Sequence, residues 1–136
     1  MALTIHTDGG SRNNPGPAAS AFIIRDQNGK LIHQQGVYLG HTTNNQAEYR
    51  GVFFALEYLQ KKHFNRVQIN FYLDSLLVVN QLSGTYKIKD SHLSQIASEI
   101  KKTIQTNGFS VSFTYIPRNL NADADHLVNQ TLDLQK

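Results

Sequence analysis

Two segments of this chain alternate between apolar and polar residues, and each of them ends in an aspartate. In "ALTIHTD", Leu3 and Ile5 point to one side of a predicted strand, and Asp8 lies on the other. In "RVQINFYLD", Asp74 ends a second strand in the same way. A single aspartate in such a place is an ordinary turn residue or helix cap. Two of them indicate a ligand site, because open α/β sheets bind ligands at the carboxyl ends of neighbouring parallel strands.

The other segments predict a mixed sheet with helices on its faces. "AASAFIIRD" and "KLIHQQGVYLG" form a predicted hairpin about Asn28-Gly29. "TTNNQAEYRGVFFALEYLQKKH" predicts a helix, with polar caps at its start and basic residues at its end. Two further helices, a last strand at "FSVSFTYIP" and a last helix at "NADADHLVNQTLDLQ" complete the order β β β α β α α β α. An antiparallel meander followed by crossover connections predicts an α/β fold.

The composition narrows the chemistry that this chain supports. Its 136 residues contain no linker-like stretch, so we expect a single domain over residues 1–136. The chain has no cysteine, which excludes disulfides, thiolate zinc sites and cysteine nucleophiles. Its net charge of +3 slightly favours polyanionic partners. The longest apolar run is Val52–Leu56 and the start shows no signal peptide, so we expect a soluble cytoplasmic protein.

Three further carboxylates lie on predicted helices. Glu48 begins a helical face that is otherwise apolar, so it must face the sheet, where an unpaired carboxylate is costly without a cation. In "NADADHLVN", Asp123 and Asp125 both have apolar residues at helical spacing after them. Helical phase therefore does not decide which of the two faces a site, and a solvated helix start is the alternative for either.

Four segments together resemble the type 1 ribonuclease H family: "TDGGSRNNPGPAASAF", "TTNNQAEYRGVFFALE", "FYLDSLLVVNQLSG" and "IPRNLNADADHLVNQTLD". They occur in the family's order and extend from Thr7 to Asp133. The resemblance implies a ribonuclease H-like α/β fold, with a five-stranded mixed sheet of three antiparallel and then two parallel strands, and helices on both faces. It also implies a metal-dependent endoribonuclease that hydrolyses the RNA strand of RNA/DNA hybrids to 3′-hydroxyl and 5′-phosphate ends.

The resemblance implies a catalytic and metal-binding set of four carboxylates, namely Asp8, Glu48, Asp74 and Asp125. In the family's closing motif the catalytic aspartate follows a small residue and precedes x-Leu-small-Asn, which matches "ADHLVN" and favours Asp125 over Asp123. Converging carboxylates require cations, and hard oxygen ligands favour Mg²⁺, with Mn²⁺ as a substitute. We expect two ions in the site, as in other enzymes of in-line phosphoryl displacement.

The resemblance also implies substrate-binding residues. The backbone amides of three residues approach the RNA strand, namely Gly9, Gly10 and Ser11. Three side chains contact the minor groove, namely Asn44, Asn45 and Gln46. Three further residues bind a phosphate of the DNA strand, namely Asn14, Arg25 and Thr43. Helix capping is an alternative or additional role for Thr43 and Asn44. For Arg25 the alternative is a solvent-facing charge on the hairpin.

The chain departs from the family's pattern in two places. The loop "IPRNLN" lacks the histidine that many bacterial members carry, and Arg118 stands there, with an electrostatic role because arginine keeps its proton at neutral pH. Whether Arg118 or His126 assists proton transfer or product release stays open. The segment "SGTYKIKDSHLS" is short, has lysines at 87 and 89 and has no tryptophan, so the chain resembles a variant without the basic protrusion. We therefore expect weaker and more salt-sensitive hybrid binding.

Two alternative functions stay open beside the hybrid nuclease. One is a non-cleaving nucleic-acid-binding module on the same fold, and the other is a related nuclease that acts on double-stranded RNA. The carboxylate set argues against the binding module, because clustered negative charge facing phosphate weakens binding. We expect an RNA/DNA hybrid as the partner, no membrane, no evident protein partner and a monomer.

Overall fold

The computed structural model describes residues 1–135. The chain forms five strands and four α-helices in the predicted order: β1 Ala2–Ser11, β2 Gly16–Asp26, β3 Leu31–Thr42, α1 Asn44–Lys61, β4 Gln68–Leu73, α2 Leu76–Leu82, α3 Ser91–Thr106, β5 Ser110–Tyr115 and α4 Ala122–Asp133. A 3-10 turn, Arg118–Asn121, leads directly into α4.

The strands form one mixed sheet in the order β3-β2-β1-β4-β5. Strands β1, β2 and β3 are antiparallel neighbours, whereas β1 pairs in parallel with β4, and β4 with β5. In the parallel pair, Ile5 lies opposite Phe71 and His6 opposite Tyr72. This register brings the carboxyl ends of β1 and β4 side by side, so that Asp8 and Asp74 follow at the same level. The predicted five-stranded mixed sheet is confirmed.

The larger core lies between the sheet and helices α1 and α3. The apolar face of α1 that Glu48 begins is fully buried on the sheet, with Val52, Ala55 and Leu59 at 0% exposure. Burial of a large apolar side chain contributes about 1.5–3 kcal/mol. This packing orients α1 so that its first turns lie against the end of β1.

The opposite face of the sheet is covered by α4. Val128 and Leu132 of this helix pack on Ala19 and Ala21 of β2. The helix also approaches β3 closely, since a Cβ atom on Gly36 would lie 1.9 Å from a side-chain oxygen of α4. Helices on both faces of the sheet are therefore confirmed, and α4 reaches the same end of β1 as α1 does.

The connection between α2 and α3 is short and exposed. It consists of residues 83–90, of which only Ile88 is partly covered, and no helix occurs between α2 and α3 within the described residues. Lys87 and Lys89 both lie on this connection. Among residues 1–135, no helix is long and apolar enough to cross a membrane.

Candidate active site

Three carboxylates meet where β1 and β4 end. Asp8 lies near the end of β1, Asp74 directly follows β4, and Glu48 lies in the first turns of α1. One oxygen from each of them lies within 4.8 Å of the others. Asp8 is buried, and Glu48 and Asp74 are partly buried. The structure thus brings together three of the four carboxylates that the sequence singled out, in a geometry that suits a hard divalent cation.

Gly9 allows this meeting, because β1 packs directly on the backbone of α1. A Cβ atom on Gly9 would lie 2.3–2.4 Å from backbone atoms of Ala47 and Glu48, which is too close for any side chain. From β2, the Ser20 hydroxyl donates a hydrogen bond to the Ala47 carbonyl. These contacts hold the start of α1 on the sheet and bring Glu48 beside Asp8.

Polar side chains tie the start of α1 to the loop after β1. Thr43 caps the helix, since its hydroxyl oxygen accepts from the Gln46 N–H at 3.2 Å. Asn44 Oδ1 accepts from the Ser11 N–H at 2.7 Å, and the Asn44 N–H donates to Asn14 Oδ1 at 3.0 Å. The predicted cap at Thr43 is confirmed, whereas Asn44 uses its side chain to hold the β1 loop.

The structure does not bring Arg25 to Asn14 and Thr43. Arg25 lies near the far end of β2, nine positions from Gly16, which pairs with the last residue of β3. At about 3.3 Å per residue this separation is about 30 Å. Arg25 instead forms an ion pair with Asp123 at 3.2 Å. The sheet register thus places Arg25 at the opposite end of the hairpin from Asn14 and Thr43. The predicted contact of Arg25 with a DNA phosphate stays a prediction.

The carboxylates face an open cleft of about 510 Å³. Its wall includes most of the predicted substrate-binding residues, namely Gly9, Gly10, Ser11, Asn44 and Asn45. The predicted basic residue of the site, Arg118, also lines it. Gln46 lies elsewhere, in a groove between α1 and α3 that Arg50 and His92 also line. The cleft is wide and polar, as a site for an extended polar substrate must be.

Tertiary packing separates the two aspartates of α4. Asp125 is partly buried and lines the cleft, one turn before the buried Val128. The Asp123 side chain is 78% exposed and lines a separate small cavity with Arg25. Asp125 is not among the three carboxylates that approach within 4.8 Å of one another. It stands on the wall of the same cleft, where the Asn129 side chain donates to its Oδ2 at 3.4 Å.

Burial and mutual repulsion change the acidity of the cluster. Burial raises the pKa of Asp8 to about 8, and the neighbouring Asp74 charge adds to this effect. Burial raises the pKa of Glu48 to about 7, again with Asp74 as the second cause, while a hydrogen bond from Ser75 and the Arg118 charge act in the opposite direction. Without a cation the cluster therefore holds protons near neutral pH. A bound cation would stabilise the ionised carboxylates.

Two residues at the site carry roles that the sequence patterns did not reveal. Asn121 is buried, and its Nδ2 donates to the Thr7 carbonyl at 2.8 Å and to Asp74 Oδ2 at 3.1 Å. Arg12 lines the cleft and forms an ion pair with Asp133 of α4 at 2.8 Å. Both residues lie in loops or turns, where hydrophobic periodicity gives no information about the direction of a side chain. The one available signal was the position of Asn121 directly before the acidic motif of α4.

A mixed sheet of this order, with acidic residues where β1 and β4 end and on the first crossing helix, defines the ribonuclease H-like class of proteins. A family model described as "Reverse transcriptase-like" matches residues 6–131. The chain belongs to the type 1 ribonuclease H family within this class.

Two relatives illustrate the similarity in sequence. Ribonuclease HI of Halobacterium salinarum is 36% identical over 127 residues, which cover 93% of this chain and 62% of the relative. A bifunctional protein of Mycobacterium tuberculosis is 32% identical over 134 residues, which cover 98% of this chain and 36% of the relative. The chain thus spans less than two thirds of either relative.

Solved structures show the same similarity over whole chains. LC11-RNase H1 in complex with an RNA/DNA hybrid superposes with a TM-score of 0.94 at 38% identity, covering 98% of each chain. RNase H1 of the halophilic archaeon Halobacterium salinarum superposes with a TM-score of 0.90 at 34% identity, also covering 98% of each chain. The fold expected from the resemblance is confirmed by these neighbours.

Proposed function

We propose that this chain is a metal-dependent endoribonuclease that hydrolyses the RNA strand of RNA/DNA hybrids to 3′-hydroxyl and 5′-phosphate ends. The observation that carries the proposal is the cluster of Asp8, Glu48 and Asp74, within 4.8 Å of one another at the strand ends of a ribonuclease H-like sheet. A relative with 38% identity holds an RNA/DNA hybrid on the same fold, which supports the choice of substrate.

The donor set supports a divalent metal as the cofactor. All the candidate ligands are carboxylate oxygens, which suit Mg²⁺ and also Mn²⁺, and the raised pKa values of Asp8 and Glu48 reflect charge that a cation would balance. Asp8, Glu48 and Asp74 would hold the ions, with Asp125 as a fourth ligand from the cleft wall. Two ions held there would activate a water molecule and stabilise the charge of an in-line displacement.

The chain's own residues supply charge and orientation around that centre. Arg118 is exposed and lines the cleft, and its positive charge opposes the rise in the pKa of Glu48. This position supports an electrostatic role toward the scissile phosphate. It cannot take up a proton at neutral pH, so proton transfer falls to water or to the carboxylates. His126 is exposed and is not among the residues that line the cleft.

The walls of the cleft suit a nucleic-acid hybrid. Gly9, Gly10 and Ser11 form one wall, where small residues let the RNA backbone approach closely. Because Asn44 Oδ1 accepts from Ser11, the side-chain NH₂ group of Asn44 is directed away from Ser11 and is assigned to the minor groove, together with the side chain of Asn45 on the same wall. Contact with the 2′-hydroxyl is the physical basis for telling RNA from DNA.

Three further substrate contacts belong to the same proposal. Asn14 and Thr43 lie together at the start of α1, and we assign them to a phosphate of the DNA strand. Gln46, in the adjoining groove, keeps its assignment to the minor groove. We also propose that the protein acts as a monomer in the cytoplasm, which size-exclusion chromatography and cell fractionation would test.

Cleavage of end-labelled duplexes tests this function. Wild-type protein is incubated with RNA/DNA, RNA/RNA and DNA/DNA duplexes in Mg²⁺, Mn²⁺ or EDTA, beside Asp74→Asn and the control Glu57→Gln, which lies outside the cleft on the second half of α1. We expect internal cuts in the RNA strand of the hybrid that EDTA abolishes. Asp74→Asn should lose at least about 100-fold in kcat, which corresponds to about 2.7 kcal/mol, whereas Glu57→Gln should match the wild type.

The other outcomes identify the alternatives. Intact RNA with every metal, from protein that still binds the hybrid, would assign the chain to a non-cleaving binding module. Equal cutting of RNA/RNA would assign it to a nuclease for double-stranded RNA. The carboxylate cluster favours a nuclease, since a binding module gains nothing from negative charge that faces phosphate.

A further inference from the structure

Asn121 connects three elements of the active site through one buried side chain. It is the last residue of the 3-10 turn before α4 and is 1% exposed. Its Nδ2 donates to the Thr7 carbonyl of β1 at 2.8 Å and to Asp74 Oδ2, directly after β4, at 3.1 Å. The residue therefore joins the ends of the two central parallel strands to the start of the helix that carries Asp125.

The chemistry of the two acceptors determines the orientation of this side chain. An amide NH₂ group has two hydrogens to donate, and here both meet acceptors, a carbonyl and a carboxylate. The flipped orientation would place Asn121 Oδ1 against two oxygens that accept and cannot donate. Hydrogen bonding thus determines which end of the amide faces Asp74.

Helix capping does not account for Asn121. A residue at the N-cap position normally uses its side-chain oxygen to accept an N–H from the first turn. Asn121 occupies this position for α4, yet it makes no side-chain capping bond, and its buried Oδ1 has no hydrogen-bond partner in the described residues. The side chain forgoes the usual stabilisation of the helix and directs its donors at Thr7 and Asp74.

We propose that Asn121 is a positioning residue that holds the Asp74 carboxylate in the orientation in which it binds the metal. The proposal rests on the metal-dependent function proposed above and assigns a further residue to it. Hydrogen-bond donors behind a ligating carboxylate restrict its rotation, and their loss typically costs about 10–100-fold in metal affinity or activity. Because Asn121 is also the N-cap residue of α4, it fixes the position of Asp74 relative to the helix that carries Asp125.

The test compares Asn121→Ala with Asn119→Ala, a matched control two positions earlier on the same turn, where the asparagine is exposed. Three quantities are measured: Mn²⁺ affinity by calorimetry without nucleic acid, kcat and KM for the hybrid at saturating Mg²⁺, and the melting temperature in EDTA. For Asn121→Ala we expect Mn²⁺ affinity or kcat to fall by about 10–100-fold. The KM for the hybrid should stay within about threefold, and Asn119→Ala should match the wild type.

A double-mutant cycle separates positioning from folding. If Asn121 had only a structural role, its replacement would lower the melting temperature. Mn²⁺ affinity and kcat would then stay unchanged at temperatures well below the melting temperature. A positioning Asn121 acts through Asp74, so in an Asp74→Asn background its replacement should add less than about twofold to the loss of Mn²⁺ affinity, because coupled residues are not additive. Should Asn121→Ala not fold, the near-isosteric Asn121→Leu keeps most of the volume, removes the donors and adds no charge, and we expect its kcat to fall at least about tenfold.

Wild-type Mn²⁺ affinity and kcat in Asn121→Ala, or wild-type kcat in a folded Asn121→Leu, would overturn the proposal. Its failure is distinguishable from failure of the proposed function. If the wild-type protein cuts no hybrid, the nuclease proposal fails. The Mn²⁺ titration needs no substrate and still decides whether Asn121 positions a metal ligand.

Discussion

The Arg25 guanidinium lies 3.2 Å from the Asp123 carboxylate and pairs with it. Both residues line a small cavity beside His6, separate from the cleft that contains the carboxylate cluster. Asp123, the first of the two aspartates at the start of α4, is therefore held in an ion pair outside the cleft. Asp125, two positions later, lines the cleft together with Asp8, whose pKa is raised mainly by burial and only to a small extent by the Asp125 charge.

The two aspartates of α4 should differ sharply in their effect on catalysis. Asp125→Asn removes a carboxylate from the cleft wall, and we expect kcat for the hybrid to fall at least about tenfold, or 1.4 kcal/mol. Asp123→Asn removes one partner of an exposed ion pair, worth about 0–1 kcal/mol, and should leave kcat within about twofold. Steady-state kinetics on both variants checks this, and the reverse ranking would move the fourth ligand to Asp123.

The close approach of β1 to α1 predicts an unusual sensitivity at Gly9. In Gly9→Ala the new methyl group would meet backbone atoms of Ala47 and Glu48 at 2.3–2.4 Å, so the helix must move away from the strand. We expect a loss of about 1–3 kcal/mol in the free energy of unfolding, and a loss of kcat because Glu48 leaves the cluster. In the stability control Gly10→Ala, the methyl group meets only the Val128 side chain at an ordinary 3.7 Å. Urea denaturation compares the two, and equal losses would contradict the packing argument.

The stability of the metal-free protein should fall as the pH rises through neutrality. Asp8 has a pKa of about 8 and Glu48 of about 7, both above the usual value near 4 for an unfolded carboxyl group. The native state therefore binds more protons than the unfolded state between these values. The resulting stability is complete below about pH 4 and is lost as the pH rises to about 8. Melting temperatures in EDTA between pH 5 and 8.5 measure the slope.

Replacement of Asp8 isolates this effect. Asp8→Asn removes the group with the largest shift, so we expect a flatter slope and, at pH 8 in EDTA, a melting temperature above that of the wild type. The same variant should be inactive, which separates stability from function. Mg²⁺ should stabilise the wild type more at pH 8 than at pH 6, because it binds ionised carboxylates. A wild-type slope in Asp8→Asn would show that other groups cause it.

Arg118 should act through charge alone. Arg118 lines the cleft, and its charge opposes the burial and the Asp74 charge that raise the pKa of Glu48. Arg118→Ala therefore removes a positive charge from the proposed site of the reacting phosphate. We expect kcat to fall about fivefold, the effect of about 1 kcal/mol for one charge near 4 Å in water, and Arg118→Lys to recover part of it. His126→Ala, on the exposed side of α4, is the control. If His126→Ala instead lowers kcat and changes the pH profile, proton transfer belongs to that residue.

Hybrid binding should be weak, and it should weaken further as salt is added. The short connection between α2 and α3 offers only Lys87 and Lys89 as exposed cations, so phosphate contacts are few and solvent-screened. Replacing both by glutamine should raise KM and reduce the slope of log affinity against log salt by about one for each lost phosphate contact. The matched pair Lys101→Gln and Lys102→Gln, exposed on α3, should leave the slope unchanged. Nanomolar binding that is indifferent to salt would contradict this prediction.

Much of the fold could be predicted because each element carries its own pattern. The alternation before Asp8 and Asp74 was enough to predict two strands ending in carboxylates, and the apolar face after Glu48 predicted a helix lying on the sheet. Arg25 shows where such reasoning fails. Its place in the hairpin was evident, but the register that puts it about 30 Å from Thr43 depends on how β2 pairs with β3.

The amino-acid sequence by itself determined the order of the elements, the faces that each one buries, and a carboxylate chemistry that calls for a divalent metal. Helical phase left Asp123 and Asp125 undecided and the family motif favoured Asp125, but only the tertiary structure shows that Asp125 lines the cleft and that Asn121 donates to Asp74. The physical reason is the range of the interactions. Periodicity reports which side of a strand or helix is apolar, whereas the Asn121 bond to Thr7 joins residues 114 positions apart and exists only once α4 has packed on the sheet.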